Sequence, residues 1–248
     1  KTAYEMVLRD WSSDVCSSDL FFSQFSAAPC AMRCAVAVLG GKNPDNPCLM
    51  TFLAIDIGNT SAGPTGDIIG SAVFTGENVP GVTVGFENRI NPWFAPNFGS
   101  TPQDNMLERI MGSIAWDSNG NATYPGLGID LQVGVGAPYK LQLLFSDLSS
   151  VNFRCFDIEI EGVNVLNEMD VAALMSAWSG QPDSGVVFTY EFIAQDSVLN
   201  ILLRNGTSLG NRDPILNALT LETIPEPATL ALLGLGVLGF ARRRRGGK

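Results

Sequence analysis

Histidine is absent from the 248-residue sequence. Ser-His-Asp triads and Cys-His pairs both use an imidazole as their base, so neither is available to this protein. The commonest nitrogen ligand of zinc is missing as well. Two carboxylates would suffice for glycosidase chemistry, but no pair of acidic residues stands out from the sequence. We therefore predict no catalytic residues, no metal site and no cofactor, and bound calcium stays open as an alternative that no motif supports.

Positive charge is scarce outside the C-terminus. Residues 1–224 carry 10 Lys and Arg residues against 24 Asp and Glu residues. Nucleic-acid binding requires clustered Lys and Arg side chains, so we expect no nucleic-acid partner. The excess of negative charge suits a soluble, exported domain. Asp56, Asp67 and Glu77 lie in Gly-rich stretches and are interpreted as solvated charges.

Cysteine is infrequent, with five residues in the chain. Only Cys155 falls where the strand patterning is regular, so no disulfide framework is predicted. Cys155 is interpreted either as a thiol within a strand or as one half of a pair whose partner the sequence does not identify.

The N-terminal residues lack the pattern of a folded domain. Asp10–Leu20 has the sequence DWSSDVCSSDL, which one choice of codons matches to a sequencing-library adapter. We interpret residues 1–20 as an artefact of that origin and expect the natural secretion signal to be missing. Residues 21–54 are left as an unassigned N-terminal segment.

One long uncharged apolar run is present, and it extends from Ala228 to Ala241. The residues before it are Pro225, Glu226 and Pro227, and those after it are Arg242, Arg243, Arg244 and Arg245. The run is shorter than the ~17–25 residues of a usual spanning helix, which leaves a buried core helix as an alternative. Flanking arginines can lengthen a short span and hold that end in the cytoplasm. We therefore predict a short C-terminal transmembrane helix with the body on the far side.

The order of Pro-Glu-Pro, apolar segment and arginine cluster closely resembles the PEP-CTERM sorting signal, over residues 225–245. The resemblance implies an exported protein of a Gram-negative bacterium, held transiently in the inner membrane. It also implies recognition by an exosortase, which removes the tail and passes the protein to the cell surface or extracellular matrix. A simple tail anchor is the alternative, and in that case too the body of the protein would be exported.

Period-two alternation of apolar and polar residues dominates the second half of the chain, which is typical of half-buried strands. The alternating segments are 140–145, 156–161, 188–192, 199–203 and 215–221. Gly162 and Asn205-Gly206 mark turns between them. This pattern predicts an all-β fold, an antiparallel β-sandwich or jelly roll. Two short helices are predicted at Gln103–Ile114 and Asn167–Trp178, where apolar residues follow helical spacing.

Three motifs in order resemble a malectin-like domain: YKLQLLF at 139–145, FDI at 156–158 followed by Gly162, and DPILNAL at 213–219. The resemblance covers residues 55–222. It implies a galactose-binding-like sandwich that binds carbohydrate through loops at one edge, where an acidic or amide group near the last strand contacts sugar hydroxyls. Asp213 and Asn217 occupy the matching segment and are carried over as ligand-binding residues.

Sugar binding also uses flat apolar surfaces that stack on the sugar ring. Trp93 lies in a Pro- and Asn-rich stretch and Tyr124 precedes Pro125-Gly126, so both are expected on loops and are predicted to contact the ligand. The alternative for Trp93 is that it closes the edge of the sandwich. Trp116 is interpreted as a core residue, and Trp178 is left open between the two roles.

The predicted function is therefore non-catalytic carbohydrate binding at the cell surface or in the extracellular matrix. A structural or adhesive matrix protein without a specific ligand is the alternative. A glycoside hydrolase is the third interpretation, since acidic residues are plentiful.

Overall fold

The computed structural model describes residues 33–39, 50–60, 64–69, 72–118, 124–179 and 185–224. The first eight strands are β1 (Arg33–Leu39), β2 (Met50–Asp56), β3 (Pro64–Ile69), β4 (Ala72–Gly76), β5 (Val82–Gly85), β6 (Asn88–Ile90), β7 (Ile114–Trp116) and β8 (Leu127–Gln132). The next seven are β9 (Pro138–Phe145), β10 (Phe156–Ile160), β11 (Val163–Met169), β12 (Gly185–Ile193), β13 (Val198–Asn205), β14 (Ile215–Leu216) and β15 (Ala218–Thr223). The helices are α1 (Pro102–Met111) and α2 (Val171–Ser179).

The strands form three sheets. The large sheet has the order β1-β12-β9-β15-β2-β4-β3, the second sheet β11-β10-β13-β8-β5, and the small sheet β14-β7-β6. Their ladders are antiparallel except that between β2 and β4, which is parallel. The large sheet includes β1 and the start of β2, so it begins before residue 55, where the sequence placed the domain boundary.

The main core lies between the large sheet and the second sheet. Alternation places Leu141 and Leu143 of β9 on the inner face, with Ile158 and Ile160 of β10 in the same core cluster. All four side chains are fully buried. Burying an aliphatic side chain of this size stabilises a fold by ~1.5–3 kcal/mol. The alternation read from the sequence therefore assigns these strand faces correctly.

Helix α1 covers part of the outer face of the large sheet. Its Leu107, Ile110 and Met111 pack in a second cluster with outward-facing residues of the sheet, among them Phe74 and Leu144. The helix begins with a capping box, in which the Thr101 hydroxyl accepts a hydrogen bond from the Asp104 backbone N–H and the Asp104 carboxylate accepts one from the Thr101 backbone N–H. Pro102 suits the first turn because its missing N–H has no partner to lose there.

The mostly β, sandwich-like fold predicted from the sequence is confirmed, with three corrections. A purely antiparallel arrangement is wrong because β2 and β4 run parallel. Helix α1 ends at Met111, three residues before the expected end. The second helix begins at Val171 rather than Asn167, because residues 167–169 complete β11 and Asp170 caps the helix by accepting from the Ala173 backbone at 2.8 Å.

Two predictions concern segments that the structure does not describe. Residues 1–20 and the C-terminal helix predicted within 225–245 both lie outside the described residues. Within the described part of the chain, no helix has the length and apolar character needed to cross a membrane.

The strand register defines two ends of the sandwich. Asp56 pairs with Ala218 at one end of β2 and β15, whereas Met50 pairs with Thr223 at the other. Ile224 follows β15 and donates its backbone N–H to Pro138 at 2.9 Å. We call the end at Ile224 the exit pole and the end at Asp56 the cleft pole.

Candidate functional site

A cleft of about 900 Å³ opens at the cleft pole, between α1, the end of β2, β3 and the loop before α1. Its volume lies within the ~300–1,000 Å³ typical of small-molecule sites. The lining residues are Asp56, Asn59, Thr65, Asp67, Asn91, Pro92, Phe94, Ala95, Pro96, Asn105, Glu108, Arg109 and Gly112. One wall is therefore aromatic and proline-rich, and the other carries carboxylates, amides and a guanidinium.

The apolar wall is the loop at residues 91–98, and α1 holds it in place. The Trp93 backbone N–H donates to the carbonyl of Gly112, directly after the helix. The Phe98 backbone N–H donates to Oε1 of Glu108 at 2.8 Å. These two anchors fix the loop at both ends, so the half-buried ring of Phe94 lies in the cleft wall as part of an ordered surface.

Asp56 is a buried carboxylate in the cleft, only 4% exposed. Its Oδ1 accepts from the Ser113 hydroxyl at 2.6 Å and its Oδ2 accepts from the Asn59 amide at 3.1 Å. No Lys or Arg of the described residues forms an ion pair with it. Burial raises the pKa of Asp56 to about 6, since the two hydrogen bonds only partly offset the loss of solvent and Asp67 and Glu77 repel its charge. Asp56 is thus a carboxyl group that changes its charge near neutral pH.

Asp67 is buried too, but a cation compensates it. Arg109 donates from Nε to Oδ1 of Asp67 at 3.0 Å, and Nη2 contacts the same oxygen. The Arg109 side chain is 58% exposed while that of Asp67 is 8% exposed. The pair ties α1 to β3 across the cleft and leaves guanidinium N–H groups near its opening.

Glu77 lies behind the cleft and supports it. The backbone N–H of Gly58 donates to Oε2 of Glu77 at 3.2 Å, and Arg89 pairs with Oε1 at 2.8 Å. Burial raises the pKa of Glu77 despite the Arg89 charge. Asp56, Asp67 and Glu77 are therefore all buried, and their interpretation as solvated charges is wrong.

Trp93 lies on a loop, as the sequence predicted, but the residue of this loop that lines the cleft is its neighbour Phe94. The Trp93 ring is half-buried and packs against the main core, which matches the alternative that it closes the edge of the sandwich. Its indole nitrogen is buried without a hydrogen-bond partner in the described residues. Trp116, interpreted as a core residue, also packs against that core.

Tyr124 lies away from the cleft, over the outer face of the second sheet. Its hydroxyl donates to Oδ2 of Asp130 at 2.7 Å, and its ring covers Gly128. Burial and the acceptor Asp130 together raise the pKa of Tyr124 to about 12. Asp130 also accepts from Asn200 at 2.8 Å, so this arrangement ties β8 to β13.

Asp213 is likewise separated from the cleft. It precedes Ile215, which pairs with Trp116 at the end of β7 farther from Gly112. Its backbone carbonyl accepts from Arg154 at 2.9 Å, and its side chain accepts from Asn211 at 3.3 Å. Trp93, Tyr124 and Asp213 therefore do not converge on one surface.

Asn217 is fully buried and its amide is occupied by the protein. The side-chain oxygen accepts from the Ser146 backbone at 2.7 Å, and the side-chain nitrogen donates to the carbonyls of Met111 and Ser113, each at 2.8 Å. The structure thus places Asn217 behind the cleft, where it joins the end of α1 to the large sheet and has no solvent-facing atom for a sugar hydroxyl.

Sequence reasoning missed Phe94, Asp56 and Arg109 as cleft residues. Phe94 had a signal, since it shares the Pro- and Asn-rich loop with Trp93. Asp56 and Arg109 had none, because the contacts that place them, with Ser113 and Asp67 respectively, span 57 and 42 residues. Cys155 is a free, buried cysteine, and no group of His, Cys, Asp and Glu in the described ranges is arranged to hold a metal ion.

The C-terminus matches the family model described as "PEP-CTERM protein-sorting motif" over residues 223–245. This match confirms the sorting signal, which implies export and processing by an exosortase in bacteria. None of the curated proteins compared with the chain matches it significantly.

The fold is similar to solved ectodomains of plant receptor-like kinases. The ANX2 ectodomain from Arabidopsis thaliana aligns with a TM-score of 0.56 and 16% identity, over 72% of this chain and 51% of that one. The ANX1 ectodomain from Arabidopsis thaliana gives 0.55 and 15%, over 72% and 49%. The plant receptor-like kinase FER gives 0.50 and 14%, over 71% and 50%.

This chain thus spans about half the length of each of those structures. At such identities the likeness concerns the fold alone. The described residues have the fold of the malectin-like ectodomains of these kinases, and the C-terminus carries a PEP-CTERM sorting motif.

Proposed function

We propose that the protein is an exosortase-sorted surface or extracellular-matrix protein that binds carbohydrate, without catalysis, in the cleft beside α1. The observation that carries the proposal is the pairing of an aromatic, proline-rich wall with convergent polar groups in a cleft of about 900 Å³. Sugar rings stack their C–H faces on flat apolar surfaces, and their hydroxyls hydrogen-bond to carboxylates, amides and guanidinium groups.

The charge of the cleft indicates which glycans it accepts. Asp56, Asp67 and Glu108 line it against a single cation, Arg109. A surplus of carboxylates repels uronic acids and tolerates neutral or amino sugars. The proposed ligand is therefore a neutral or amino-sugar glycan of the extracellular matrix.

A glycan array followed by calorimetric titration tests the proposal. We expect saturable binding by the purified chain, weakened at least ~10-fold by Phe94→Ala, because stacking of one ring contributes ~1.4 kcal/mol or more. Phe153→Ala is the matched control, since Phe153 is an exposed phenylalanine outside the cleft lining.

Two results would remove the carbohydrate proposal. One is the absence of binding to neutral, amino and acidic glycans by a well-folded chain. The other is equal weakening by Phe94→Ala and Phe153→Ala. Either result favours a structural or adhesive matrix protein with the same sorting signal.

A glycoside hydrolase is the second candidate, and Asp56 is the observation that favours it. A carboxyl group with a pKa of about 6 can act as a general acid near neutral pH. Asp67 would supply the second carboxylate that such enzymes need. Release of reducing sugar from a bound glycan, abolished by Asp56→Asn, would establish hydrolysis, whereas binding without release supports the non-catalytic proposal.

A further inference from the structure

The exit pole carries the two most exposed large apolar side chains of the described residues. Val135 is 66% exposed and Ile193 is 58% exposed. Exposed apolar residues are common singly, but neighbouring ones at one end of a domain indicate a contact surface.

Hydrogen bonds bring the two loops that carry these residues together. Val135 lies in loop 133–137, and Ile193 is the last residue of β12, from which loop 193–197 continues. The Gly136 backbone donates to Ala194 at 2.8 Å, and the Ala194 backbone donates back to Ala137 at 3.1 Å. The pole is therefore one ordered surface made of both loops.

The two loops at this pole carry little charge for so acidic a chain. Loop 133–137 has the sequence VGVGA, and loop 193–197 contains one charged residue, Asp196. The Asp196 side chain is engaged, since its Oδ1 accepts from the Val198 backbone at 2.9 Å. On the adjacent strands Lys140 forms an ion pair of 2.7 Å with Glu222 and lies opposite Glu191 of β12.

The described fold ends at this pole, and from here the sequence continues into the apolar C-terminal tail. Ile224 is hydrogen-bonded to Pro138, whose strand partner in β12 is Ile193. Four residue steps separate Ile224 from Ala228, where the uncharged run begins. Even a fully extended chain covers only ~14 Å in four steps. The lipid headgroup layer takes up ~6 Å of that reach, so a body attached to an inserted tail stands within ~8 Å of the bilayer surface.

We propose that the exit pole is a membrane-contact surface. This inference rests on the proposed export and membrane insertion of the tail. While the tail is attached, Val135 and Ile193 contact the lipid interface. The cleft lies at the opposite end of β2 and β15 and faces away from the bilayer. Apolar side chains on loops of low charge favour the interface, whereas a strongly negative pole would be repelled by anionic lipid.

Tryptophan quenching by brominated lipid tests this surface in the full chain. The chain is reconstituted in vesicles of phosphatidylethanolamine and phosphatidylglycerol, prepared with and without bromine on the acyl chains. Ile193→Trp reports on the exit pole. Leu148→Trp is the matched control, because Leu148 is 50% exposed and follows β9 at the opposite end from Pro138. The quenching of the unmodified chain is subtracted from both.

We expect at least twofold stronger quenching for Ile193→Trp than for Leu148→Trp. Adding Val135→Asp to the Ile193→Trp chain should reduce that quenching, because a carboxylate at the contact withdraws the pole from the lipid. Equal quenching at the two positions, or no effect of Val135→Asp, would overturn the proposal.

Vesicle flotation separates this proposal from the one on which it rests. If the full chain does not float with the vesicles, the tail does not insert, and the sorting part of the proposed function fails together with the membrane contact. If the chain floats but Ile193→Trp is not preferentially quenched, only the contact surface is refuted.

Discussion

Ser113 donates its hydroxyl hydrogen bond to Oδ1 of Asp56 at 2.6 Å, joining the segment that follows α1 to the end of β2. A hydroxyl stabilises an ionised carboxylate less than a cation does, and it can also form a hydrogen bond with the protonated acid. The contact therefore leaves Asp56 free to gain a proton near neutral pH, and this determines how the stability of the fold depends on pH.

The first prediction concerns Asp56→Asn and pH. The pKa of Asp56 rises from 3.8 in the unfolded chain to about 6 in the fold. Protonation therefore favours the folded state, and this stabilisation is complete below pH ~3.8 and lost as the pH rises through 6. The loss amounts to about 3 kcal/mol. Asn cannot ionise, so the stability of Asp56→Asn relative to the original chain should increase by about that amount between pH 4 and pH 7.

Urea unfolding of both chains across this pH range measures the difference. Asp117→Asn serves as the control, because Asp117 is another buried aspartate but does not line the cleft. Parallel stability curves for Asp56→Asn and the original chain would show that Asp56 stays ionised in the fold.

The second prediction is that Asn217 acts as a scaffold. Asn217→Ala leaves the Ser146 N–H and the carbonyls of Met111 and Ser113 without their partner in a buried site. We expect the free energy of unfolding to fall by ~2–4 kcal/mol, since buried polar groups without hydrogen bonds are costly.

Asn200→Ala is the matched control for this prediction. Asn200 also uses its amide, donating to Asp130 at 2.8 Å, but at an exposed position where water replaces the bond. In the same urea titration, Asn200→Ala should lower the free energy of unfolding by well under half as much as Asn217→Ala does. Similar losses for the two variants would indicate that the buried amide of Asn217 has no special role.

Asn217 also shows why the sequence identified the fold better than the site. Strand alternation is local, so Leu141 and Leu143 could be assigned to the inner face from their neighbours alone. The occupation of the Asn217 amide depends on Met111 and Ser146, which lie 106 and 71 residues away. A resemblance can place a polar residue near the last strand, but only the packed structure shows whether its side chain faces solvent.

The acidic residues show the same difference between local signals and long-range contacts. Composition revealed a surplus of carboxylates but not which of them are buried. Asp67 is matched to Arg109 across 42 residues, whereas no Lys or Arg in the described part of the chain pairs with Asp56. Local signals worked where the determining contact was local, as with the capping box of Thr101 and Asp104 that starts α1.

The third prediction concerns Gly128, whose missing side chain makes room for Tyr124. A Cβ at this position would lie 2.1 Å from the Tyr124 ring. Gly128→Ala should displace the ring, break the hydrogen bond to Asp130 and cost ~1–3 kcal/mol. The pKa of Tyr124, raised to about 12 by burial and Asp130, should fall toward its ordinary value of 10.

Unfolding titrations and ultraviolet titration of the tyrosines measure the two effects. Gly210→Ala is the control, because nothing lies within 4 Å of a Cβ there. In a Tyr124→Ala chain the Gly128→Ala change should cost much less, since the clashing ring is gone. An unchanged cost in that background would contradict the proposed packing.

The fourth prediction concerns Glu168, which holds the loop after β13. Its carboxylate accepts from the backbone and hydroxyl of Thr207 at 2.7 and 2.6 Å and from the Ser208 backbone at 3.1 Å. The hydrogen bonds from Cys155 and from Thr207 lower the pKa of Glu168 to about 2. Its contribution to stability is therefore present above pH 4.5 and lost as the pH falls through 2. Because the site is open to solvent, the contribution should be only about 1 kcal/mol.

Amide chemical shifts of Thr207 and Ser208, followed from about pH 6 downward, locate this titration. We expect a midpoint near pH 2, well below the ordinary glutamate value of 4.5, and no such transition in Glu168→Gln. Glu161→Gln is the matched control. Glu161 and Glu168 both have a positive φ, but Glu161 accepts from only one backbone N–H, that of Asn200. A midpoint near pH 4.5 would mean that the carboxylate is not held by the loop, because only hydrogen bonds made to the ionised form can depress its pKa in so exposed a position.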